Sequence, residues 1–539
     1  MTETNALVGK PTERGALRMP IQKSLFSYSS TATDRDAHET AKAILGRERI
    51  AVVFINDPDQ AAAAIARLMQ EESPLGLDTE TAKLPEYIAH KQAGLDPHLS
   101  RIRLIQLYGG SQKVYVFDMF ALDMGMLRSI WDKPLVAHNA IFDLKHLFHA
   151  GAHPHQVGCT MLMNNALTGE LSSLAALARR HLGWNISKEQ RVSDWNQQPL
   201  TPEQLSYAAL DSVAVFKLYR TLRDELSKRN LVPVYKLMRD AQRAIAQMEL
   251  NGIYFDLQDH EKLMTTWQHM KTEAEKRLLD ILGPHINPDS GKQISDWLAN
   301  NLDRKALRTW PQTKTGQLRT NGGTLSRFPE HPLVKSLLAY KEATKMLSTF
   351  GAGYADHVNP KTGRIHASFK LGGTSTGRLS CSNPNIQNPP RDKAFRALFS
   401  APPGRKMVVA DYGQIELRVA ALVSGDKNMI EAYRKAQDLH RKTAAAIAKV
   451  PFEQVTKNQR QAAKAVNFGL LYGQGARGLA RYAKAGYGVS MSEKEAEEAR
   501  EAFFRAYPGL KQWQVEAGRR AEKEMRAITP GGRIRDFTK

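Results

Sequence analysis

Two acidic residues separated by one position form the start of a first candidate site. Asp78, Thr79 and Glu80 follow the apolar residues 75–77, a pattern that predicts a buried β-strand. Because side chains alternate along a strand, Asp78 and Glu80 are expected on one face of the sheet. Burying two like charges is costly unless a cation neutralises them. The pair alone is a weak signal, since a solvated strand edge is the commoner explanation.

Two later stretches carry side chains that can join this pair. Asn139 precedes Asp143 by four residues, and we interpret Asn139 as a helix N-cap with Asp143 in the first turn. Capping explains Asn139 but does not require Asp143. Tyr207 and Asp211, at positions i and i+4, share a face of a predicted helix. Alone, that last pair is more often a surface tyrosine beside a helix acid.

A second candidate site lies on one face of a helix much later in the sequence. Its four members, each four positions after the last, are Arg460, Lys464, Phe468 and Tyr472. This spacing keeps them within about 120° of one face, over roughly 18 Å. Two cations followed by two aromatic rings suit a nucleoside triphosphate, with the phosphates at the cations and the base near the last ring. An amphipathic helix with aromatic residues in its core explains the spacing equally well.

The elements that must position these residues fall into a first part rich in strands and a later part rich in helices. Strand-like segments occur at 50–55, 75–81, 102–108, 114–117 and 135–138, and helical periodicity follows from residue 171. Regular structure is expected to begin near Arg49, as a mixed sheet with helices packed on it. Residues 232–350 predict an elongated helical arm. The apolar residues 407–410 predict a short strand ending at Asp411, and helices are expected over 438–527.

Composition favours a protein that handles a polyanion. The chain has 539 residues, enough for three or four units of about 150 residues. Its formal net charge of +21 suits nucleic acid, because each phosphate neutralised releases counterions, although solubility alone also explains a charge excess. Two distant cysteines, Cys159 and Cys381, provide neither a disulfide framework nor a cysteine-rich zinc site, which fits a reducing cytoplasm.

Other classes of protein and site receive less support. No apolar run reaches the roughly 18–20 residues of a membrane span, and residues 1–30 lack a secretory pattern and are expected to be mobile. A histidine cluster invites a zinc interpretation, but no third ligand stands at a suitable spacing, so surface histidines are the favoured interpretation. The four residues are His146, His149, His153 and His155.

The acidic stretches together resemble the DEDD family of 3′–5′ exonucleases, in the subclass with tyrosine. This is the ribonuclease H-like fold of ribonuclease D and of proofreading DNA polymerases. The similarity runs from about residue 50 to 226 and includes Asp194-Trp195, Pro199-Leu200-Thr201 and Gln204-Leu205. It implies two divalent cations, Mg²⁺ or Mn²⁺, about 3.5–4 Å apart.

The same resemblance implies a role for each acidic residue. Asp78, Glu80 and Asp211 are expected to bind one cation, and Asp78, with Asp143 acting through water, the other. Tyr207 is expected to orient the attacking water. Asn139 is expected to contact single-stranded DNA.

The later part of the chain resembles the family A DNA polymerases. The motifs that carry this resemblance are Thr376-Gly377-Arg378-Leu379-Ser380, Pro384-Asn385-Ile386-Gln387-Asn388, the eight residues from Asp411 to Arg418, Asp438-Leu439-His440-Arg441, and residues 460–473. They occur in the family's order. The two resemblances together imply a proofreading polymerase whose partners are a DNA primer–template, 3′ ends and deoxynucleoside triphosphates.

This second resemblance also implies residue roles. Asp411 is expected to bind two catalytic Mg²⁺ or Mn²⁺ ions, and Glu416 to exclude a ribose 2′-OH. Contacts to the triphosphate are implied for His440, Arg460 and Lys464, and contacts to sugar and base for Phe468 and Tyr472. Minor-groove contacts, which test pair shape without reading sequence, are implied for Arg378, Gln387 and Asn388. Lys345 is as well explained as a solvated lysine as by a phosphate contact.

The sequence departs from the family pattern after the fingers motif. No His-Asp-Glu follows Tyr472, and Glu516, Glu522 and Glu524 lie on a charged helical run that predicts a solvated face. We therefore expect an incomplete palm, a complete exonuclease site and weak primer extension, as in a truncated record of a longer polymerase. No 5′-nuclease domain is expected before the exonuclease, which suits a phage, plasmid or bacterial enzyme acting in the cytoplasm as a monomer.

The predicted fold class is a multidomain α/β and α+β protein. The expected divisions are a flexible segment at 1–49, a ribonuclease H-like exonuclease domain at 50–228 and a polymerase domain at 229–539. Within the last, the thumb is expected at about 229–350, the palm at about 351–436 and the fingers at about 437–528. Two alternatives remain: a ribonuclease D-like exoribonuclease, which leaves everything after Phe350 without a role, and a non-catalytic DNA-binding fragment.

Overall fold

Regular structure begins earlier than the sequence predicts. The computed structural model describes residues 39–186 and 193–537, so the expected mobile lead-in at 1–30 lies outside the described residues. Helix α1 (Ala41–Arg47) occupies part of the segment predicted to be flexible. The Thr40 hydroxyl caps it by accepting from the Ala43 amide, and Ile44 and Leu45 are buried. The expectation that regular structure starts near Arg49 is therefore wrong.

A six-stranded mixed sheet forms the centre of the first part of the chain. Its strands are β1 (Ala51–Ile55), β2 (Leu75–Lys83), β3 (Ser100–Tyr108), β4 (Lys113–Asp118), β5 (Leu135–Ala137) and β6 (Val157–Cys159). The spatial order is β1-β4-β3-β2-β5-β6. Strands β2, β3 and β4 form an antiparallel meander, whereas β1, β5 and β6 run parallel to their neighbours, so the sheet is mixed as predicted.

Helices cover both faces of this sheet. They are α2 (Pro58–Gln70), α3 (Ile141–His149), α4 (Thr160–Thr168), α5 (Leu174–Leu182), α6 (Pro202–Lys228) and α7 (Val232–Asn251). Successive residues of β3 reach opposite cores, as the two-residue period requires. Leu104 joins the cluster formed with α1 and α6, and Ile105 joins the cluster formed with α3, α4 and α7.

Helix α6 lies unusually close to β2. It begins at a capping box in which Thr201 and Gln204 bond reciprocally, with Pro202 in the first turn. A Cβ on Gly76 of β2 would stand 2.2 Å from the backbone oxygen of Ser212. The glycine therefore permits the approach that brings Asp211 of α6 to the face of β2.

The middle of the chain is the predicted helical arm. After β7 (Ile253–Phe255) come α8 (Leu257–Leu282), α9 (Gly291–Asn301), α10 (Arg304–Thr309), α11 (Gly322–Leu325), α12 (Pro332–Phe350) and α13 (Ala352–Ala355). Helices α8 and α12 pack along each other, and Leu278, Leu337 and Tyr340 lie in their shared core. Across the part of the chain that the structure describes, no helix combines the length and apolar character needed to cross a membrane.

The last part combines small sheets with a helical bundle. Its strands are β8 (Val358–Asn359), β9 (Arg364–Ile365), β10 (Ser368–Lys370), β11 (Ser380–Ser382), β12 (Phe399–Ser400), β13 (Arg526–Ile528) and β14 (Ile534–Asp536). Its helices are α14 (Lys393–Ala397), α15 (Ile415–Ser424), α16 (Lys427–Arg434), α17 (Leu439–Ala448), α18 (Lys457–Leu471), α19 (Ala476–Tyr487), α20 (Glu493–Ala506) and α21 (Pro508–Glu524). The mixed, multidomain fold class is confirmed.

The segment before Asp411 is not a strand, contrary to the prediction. Residues 405–412 carry no regular secondary structure, and Val408 and Val409 are 90% and 86% exposed. A strand forms only when its N–H and C=O groups find a neighbouring strand, and among the described residues none pairs with this segment. The apolar, β-branched composition of residues 407–410 therefore predicts a strand, but no strand among the described residues pairs with them.

Candidate active sites

The first site gathers carboxylates from three elements of the sheet domain. Asp78 and Glu80 stand on one face of β2, at a β-bulge between Glu80 and Thr81. Asp143 is in the first turn of α3 and is 2% exposed. Asp211 is on α6, which packs on β2. Tyr207 lies one helical turn before Asp211 and is partly exposed.

The electrostatics show that these carboxyl groups are neighbours. Burial is the largest cause that raises the pKa of Asp78 well above its usual range, and the charges of Asp211, Asp143 and Glu80 raise it further. Burial, followed by Asp211 and Asp143, also raises the pKa of Glu80. Asp78 and Glu80 keep some accessible surface, so they line a depression reached by solvent rather than a sealed core.

Asp143 is held by its neighbour on β2. The Thr79 hydroxyl donates to Asp143 Oδ1 at 2.7 Å, and burial raises the pKa of Asp143 to about 7. The hydrogen bond acts in the opposite direction, because it stabilises the carboxylate, but burial outweighs it. No described lysine or arginine forms an ion pair with Asp78, Glu80 or Asp143, so their repulsion is not relieved by a fixed cation.

These residues fit divalent cations by donor type and by charge. As the side chains stand, no group of three or more His, Cys, Asp or Glu within 39–186 and 193–537 is arranged to hold a metal ion. The effect of these groups on one another's pKa nonetheless shows that the oxygen donors of Asp78, Glu80, Asp143 and Asp211 are neighbours. The Thr79–Asp143 bond directs one carboxylate oxygen of Asp143 towards Thr79. Hard oxygen donors suit Mg²⁺ or Mn²⁺.

Burial favours the protonated, neutral form of Asp143, and this predicts how the stability of the fold depends on pH. A folded-state pKa of about 7, against roughly 3.9 for a free aspartate, means that stability is fully present below pH 4 and is lost as the pH rises through 7. Asp143→Asn removes this penalty and retains an acceptor for Thr79. In metal-free buffer we expect the variant to unfold with about 2–4 kcal/mol more free energy at pH 8, a gain that shrinks towards pH 4.

Chemical denaturation of wild type and Asp143→Asn in EDTA at several pH values measures this gain. Saturating Mg²⁺ should abolish it, because the cation takes over the neutralisation of the carboxylate. A gain of equal size at pH 4 and pH 8 would contradict the assigned pKa.

Two expectations about neighbouring residues are wrong. Asn139 adopts a left-handed conformation with φ of 58°, and α3 is preceded by Ala140 with no side-chain cap, so Asn139 is not the N-cap. Its exposed side chain stays available for the predicted DNA contact. His146 is not a surface histidine: it is 2% exposed, and burial lowers its pKa to about 3. His153 and His155 are exposed as predicted.

The second site lies where α18 meets α15 and the loop after β10. A cavity of about 620 Å³ is lined by Thr376, Arg378, Glu416, Phe468, Tyr472, Tyr482 and Tyr487. Glu416 accepts hydrogen bonds from both Arg378 and the Tyr472 hydroxyl. Tyr472 follows the last residue of α18. Its hydrogen bond therefore connects the last member of the predicted α18 face to Glu416, the residue expected to exclude a ribose 2′-OH.

The cationic end of α18 is held by α17. Arg460 Nε donates to Asp438 Oδ2 at 2.7 Å, and Asp438 also caps α17. His440 is 3% exposed and accepts from Asn467 at 2.7 Å, and burial lowers its pKa to about 4. The ring is therefore neutral near pH 7, and its centroid lies 5.7 Å from that of Phe468, with the two ring planes tilted by 50°. His440 therefore packs against the ring of Phe468, and in its neutral form it does not supply a cationic contact to phosphate.

The remaining predicted residues are placed differently. Asp411 is exposed in the loop before α15 and does not line the cavity. Arg378, Gln387 and Asn388 are exposed, as DNA contacts require. The charged run with Glu516, Glu522 and Glu524 is a solvated face of α21, as predicted.

Sequence reasoning missed Tyr482 and Tyr487, which line the cavity from α19. Their hydroxyls are 3.5 Å apart, and their rings are in contact. Gly469 of α18 makes room for this helix, because a Cβ there would stand 2.6 Å from Leu479 and 3.4 Å from Tyr482. Two tyrosines near the end of an amphipathic helix were the only signal in the sequence.

Two family models match successive parts of the chain. Residues 258–539 match the family model for DNA polymerase family A, and residues 52–227 match that for 3′–5′ exonuclease. The chain is 34% identical over 482 residues to DNA polymerase I of Aquifex aeolicus, covering 85% of this chain and 79% of that protein. It is 29% identical to DNA polymerase I of Pseudomonas aeruginosa, covering 84% of this chain and 51% of that one.

A solved structure is similar over most of the chain. It is the POL domain of Pol1 from M. smegmatis in complex with DNA primer-template and dNTP, with a TM-score of 0.73 and 26% identity, covering 90% of this chain and 82% of that one. The chain belongs to DNA polymerase family A. Within that family it is a DNA-directed DNA polymerase that also carries a 3′–5′ exonuclease domain.

Proposed function

We propose that the chain extends DNA primers and removes mismatched 3′-terminal nucleotides, with each reaction at its own site. Residues 50–228 form the exonuclease domain, and residues 229–539 supply thumb, palm and fingers. The observation that carries the proposal is the coexistence of the carboxylate cluster around Asp78 with the cavity lined by Glu416, Phe468 and Tyr472. The related polymerase bound to primer-template and dNTP supports DNA and deoxynucleotides as partners.

At the exonuclease site, Asp78, Glu80, Asp143 and Asp211 hold two Mg²⁺ or Mn²⁺ ions. When bound, such ions stabilise negative charge on the phosphate and activate water. Tyr207 positions the attacking water from the α6 face that it shares with Asp211. Asn139, exposed just before α3, contacts the single strand.

At the polymerase site, Arg460 and Lys464 bind the triphosphate, and Asp411 supplies a carboxylate to the cations. Glu416, fixed by Arg378 and Tyr472, stands where a ribose 2′-OH would lie and thereby selects deoxynucleotides. Phe468 contacts the sugar, with the neutral ring of His440 behind it. When DNA binds, Arg378, Gln387 and Asn388 contact the minor groove. The relatives' bacterial origin supports action in a bacterial cytoplasm, and the monomeric state is part of the proposal.

A primer with a 5′ label, annealed to a longer template, tests both activities in one assay. With Mg²⁺ and no nucleotides, the chain should shorten the primer; with four deoxynucleotides, longer products should appear, even if extension is slow. Asp78→Ala should lose shortening and keep extension, whereas Asp411→Ala should do the reverse. A primer left at its original length by the wild-type chain under both conditions would contradict the proposal, and so would both variants losing both activities.

A further inference from the structure

Helix α7 lies between the two matched domains, and its last turn is held by one histidine from each. His98, in the exonuclease domain, donates from Nε2 to the Leu250 carbonyl at 3.0 Å. His366, in the polymerase domain, donates from Nδ1 to the Glu249 carbonyl at 2.8 Å. Both ring nitrogens must be donors, because a carbonyl oxygen only accepts. Carbonyls in the last turn have no partner within the helix, so these imidazoles complete it from both sides.

A third imidazole extends this contact into a row. The His98 ring lies 4.7 Å from the ring of His149 and 4.6 Å from that of His366, measured between centroids. His149 is exposed at the end of α3. Cavities of about 440 Å³ and about 120 Å³ border the row, so protons from solvent reach its members. Two protonated rings at such distances repel each other.

The surroundings oppose protonation of the outer rings. Burial lowers the pKa of His366 most, and the charge of His98 lowers it further, although the Glu249 carbonyl and Asp96 act in the opposite direction. Burial and His98 likewise lower the pKa of His149. The other titratable or charged groups bordering the row are His90, Asp96, Arg101, Lys145 and His146 from the exonuclease domain, Glu249 from α7, and Asp356, His357 and Lys361 from the polymerase domain.

Polar contacts flank the row on both sides of the boundary. Asn359 Nδ2 donates to Asp96 Oδ2 at 2.7 Å, and Lys145 forms an ion pair with Glu249 at 3.5 Å. Asn165 Nδ2 donates to the Gly372 carbonyl at 3.2 Å. Water can replace contacts of this kind at modest cost, so repulsion within the row acts on a boundary that can open.

We propose that His98, His149 and His366 form a histidine latch that holds the exonuclease domain against the polymerase domain when neutral and releases it when protonated. The lowered pKa values of His149 and His366 lie below the ordinary imidazole value of about 6.5. Their contribution to the closed state is therefore complete above that pH and is lost as the pH falls through the folded-state pKa values. The latch makes the distance between the two active sites sensitive to mild acid.

Hydrogen–deuterium exchange of the full chain at pH 7.5 and pH 5.5, corrected for intrinsic exchange, tests the latch. We expect amides of residues 96–100, 248–252 and 359–370 to open about tenfold more at pH 5.5, because pH 5.5 is about one unit below the ordinary imidazole value and each pH unit changes the protonation equilibrium of one group tenfold. A variant carrying His98→Gln, His149→Gln and His366→Asn keeps side-chain N–H donors but cannot gain protons, and should lose the response. His155→Gln, at an exposed histidine paired with Asp132, should respond like wild type.

Two outcomes would overturn the latch: equal exchange of the wild-type segments at both pH values, or an unchanged pH response in the triple variant. If the triple variant does not fold, His149→Gln alone decides, because its ring is exposed and donates no bond to α7. A reduced response in that variant supports the latch, and a response as large as that of wild type contradicts it.

Discussion

Replacing Asp78 with alanine is expected to reduce Mg²⁺-dependent release of 3′-terminal nucleotides by at least about 10³-fold. Asp78 is the residue on which the charges of Glu80, Asp143 and Asp211 all act, so its loss removes the centre of the proposed cation site. Barrier increases of several kcal/mol follow from losing a metal ligand, and each 1.36 kcal/mol is about tenfold in rate. Release of nucleotide from a 3′-labelled single strand measures the effect.

The control for this prediction is Asp132→Ala, which removes an exposed carboxylate from the same domain. It should leave the rate within about twofold of wild type. Asp78→Ala should also fold at least as stably as wild type in metal-free buffer, because it removes a buried like charge. Unchanged digestion by Asp78→Ala would show that the cleavage site lies elsewhere.

Replacing Lys464 with alanine is expected to weaken binding of the correct deoxynucleotide to the enzyme–primer–template complex by about 30–100-fold. Lys464 stands one turn after Arg460 on α18, and a hydrogen bond from a cation to phosphate contributes roughly 2–3 kcal/mol. A dideoxy-terminated primer in an Asp78→Ala background prevents both chemistry and degradation, so nucleotide titration reports affinity alone.

Lys484→Ala is the matched control, since this lysine is exposed on α19 and does not line the cavity. Its nucleotide affinity should equal that of the parent. If Lys464→Ala binds the nucleotide as tightly as Lys484→Ala, the α18 face does not hold the triphosphate, and the amphipathic-core explanation of its spacing is correct.

The sheet domain was predictable because its signals are local. The strand-like segments at 75–81 and 102–108 correspond to β2 and β3, and the helical periodicity after residue 171 covers α6. The grouping of Asp78, Glu80, Asp143 and Asp211 required more than periodicity, because strand and helix patterns do not say which elements meet. The family resemblance supplied that information. In the structure these carboxyl groups lie close enough to raise one another's pKa.

The failed expectations depended on partners that the sequence does not reveal. Residues 407–410 have strand composition, but a strand also needs a neighbour. Asparagine is a common N-cap residue, yet Asn139 has a positive φ and its side chain does not cap α3. His146 was predicted to be one of several surface histidines, but it is buried and its ring is hydrogen-bonded to Ser100 and to the backbone of Phe142.

Contacts between distant parts of the chain could not be predicted from the sequence either. His98 and His366 meet only because α7 brings the two domains together, and neither residue belongs to a motif. Tyr482 and Tyr487 reach the cavity beside Glu416 because Gly469 lets α19 approach α18. In both cases the decisive fact is a packing distance between elements.

Anomalous diffraction from crystals soaked in Mn²⁺ tests most directly whether the four carboxylates hold a pair of divalent ions. We expect two peaks about 3.5–4 Å apart, with oxygen atoms of Asp78 between them and Glu80, Asp143 and Asp211 around them. We also expect the Thr79–Asp143 bond to lengthen as the carboxylates turn inward. Full Mn²⁺ occupancy elsewhere on the protein, with no density at these four residues, would contradict the account.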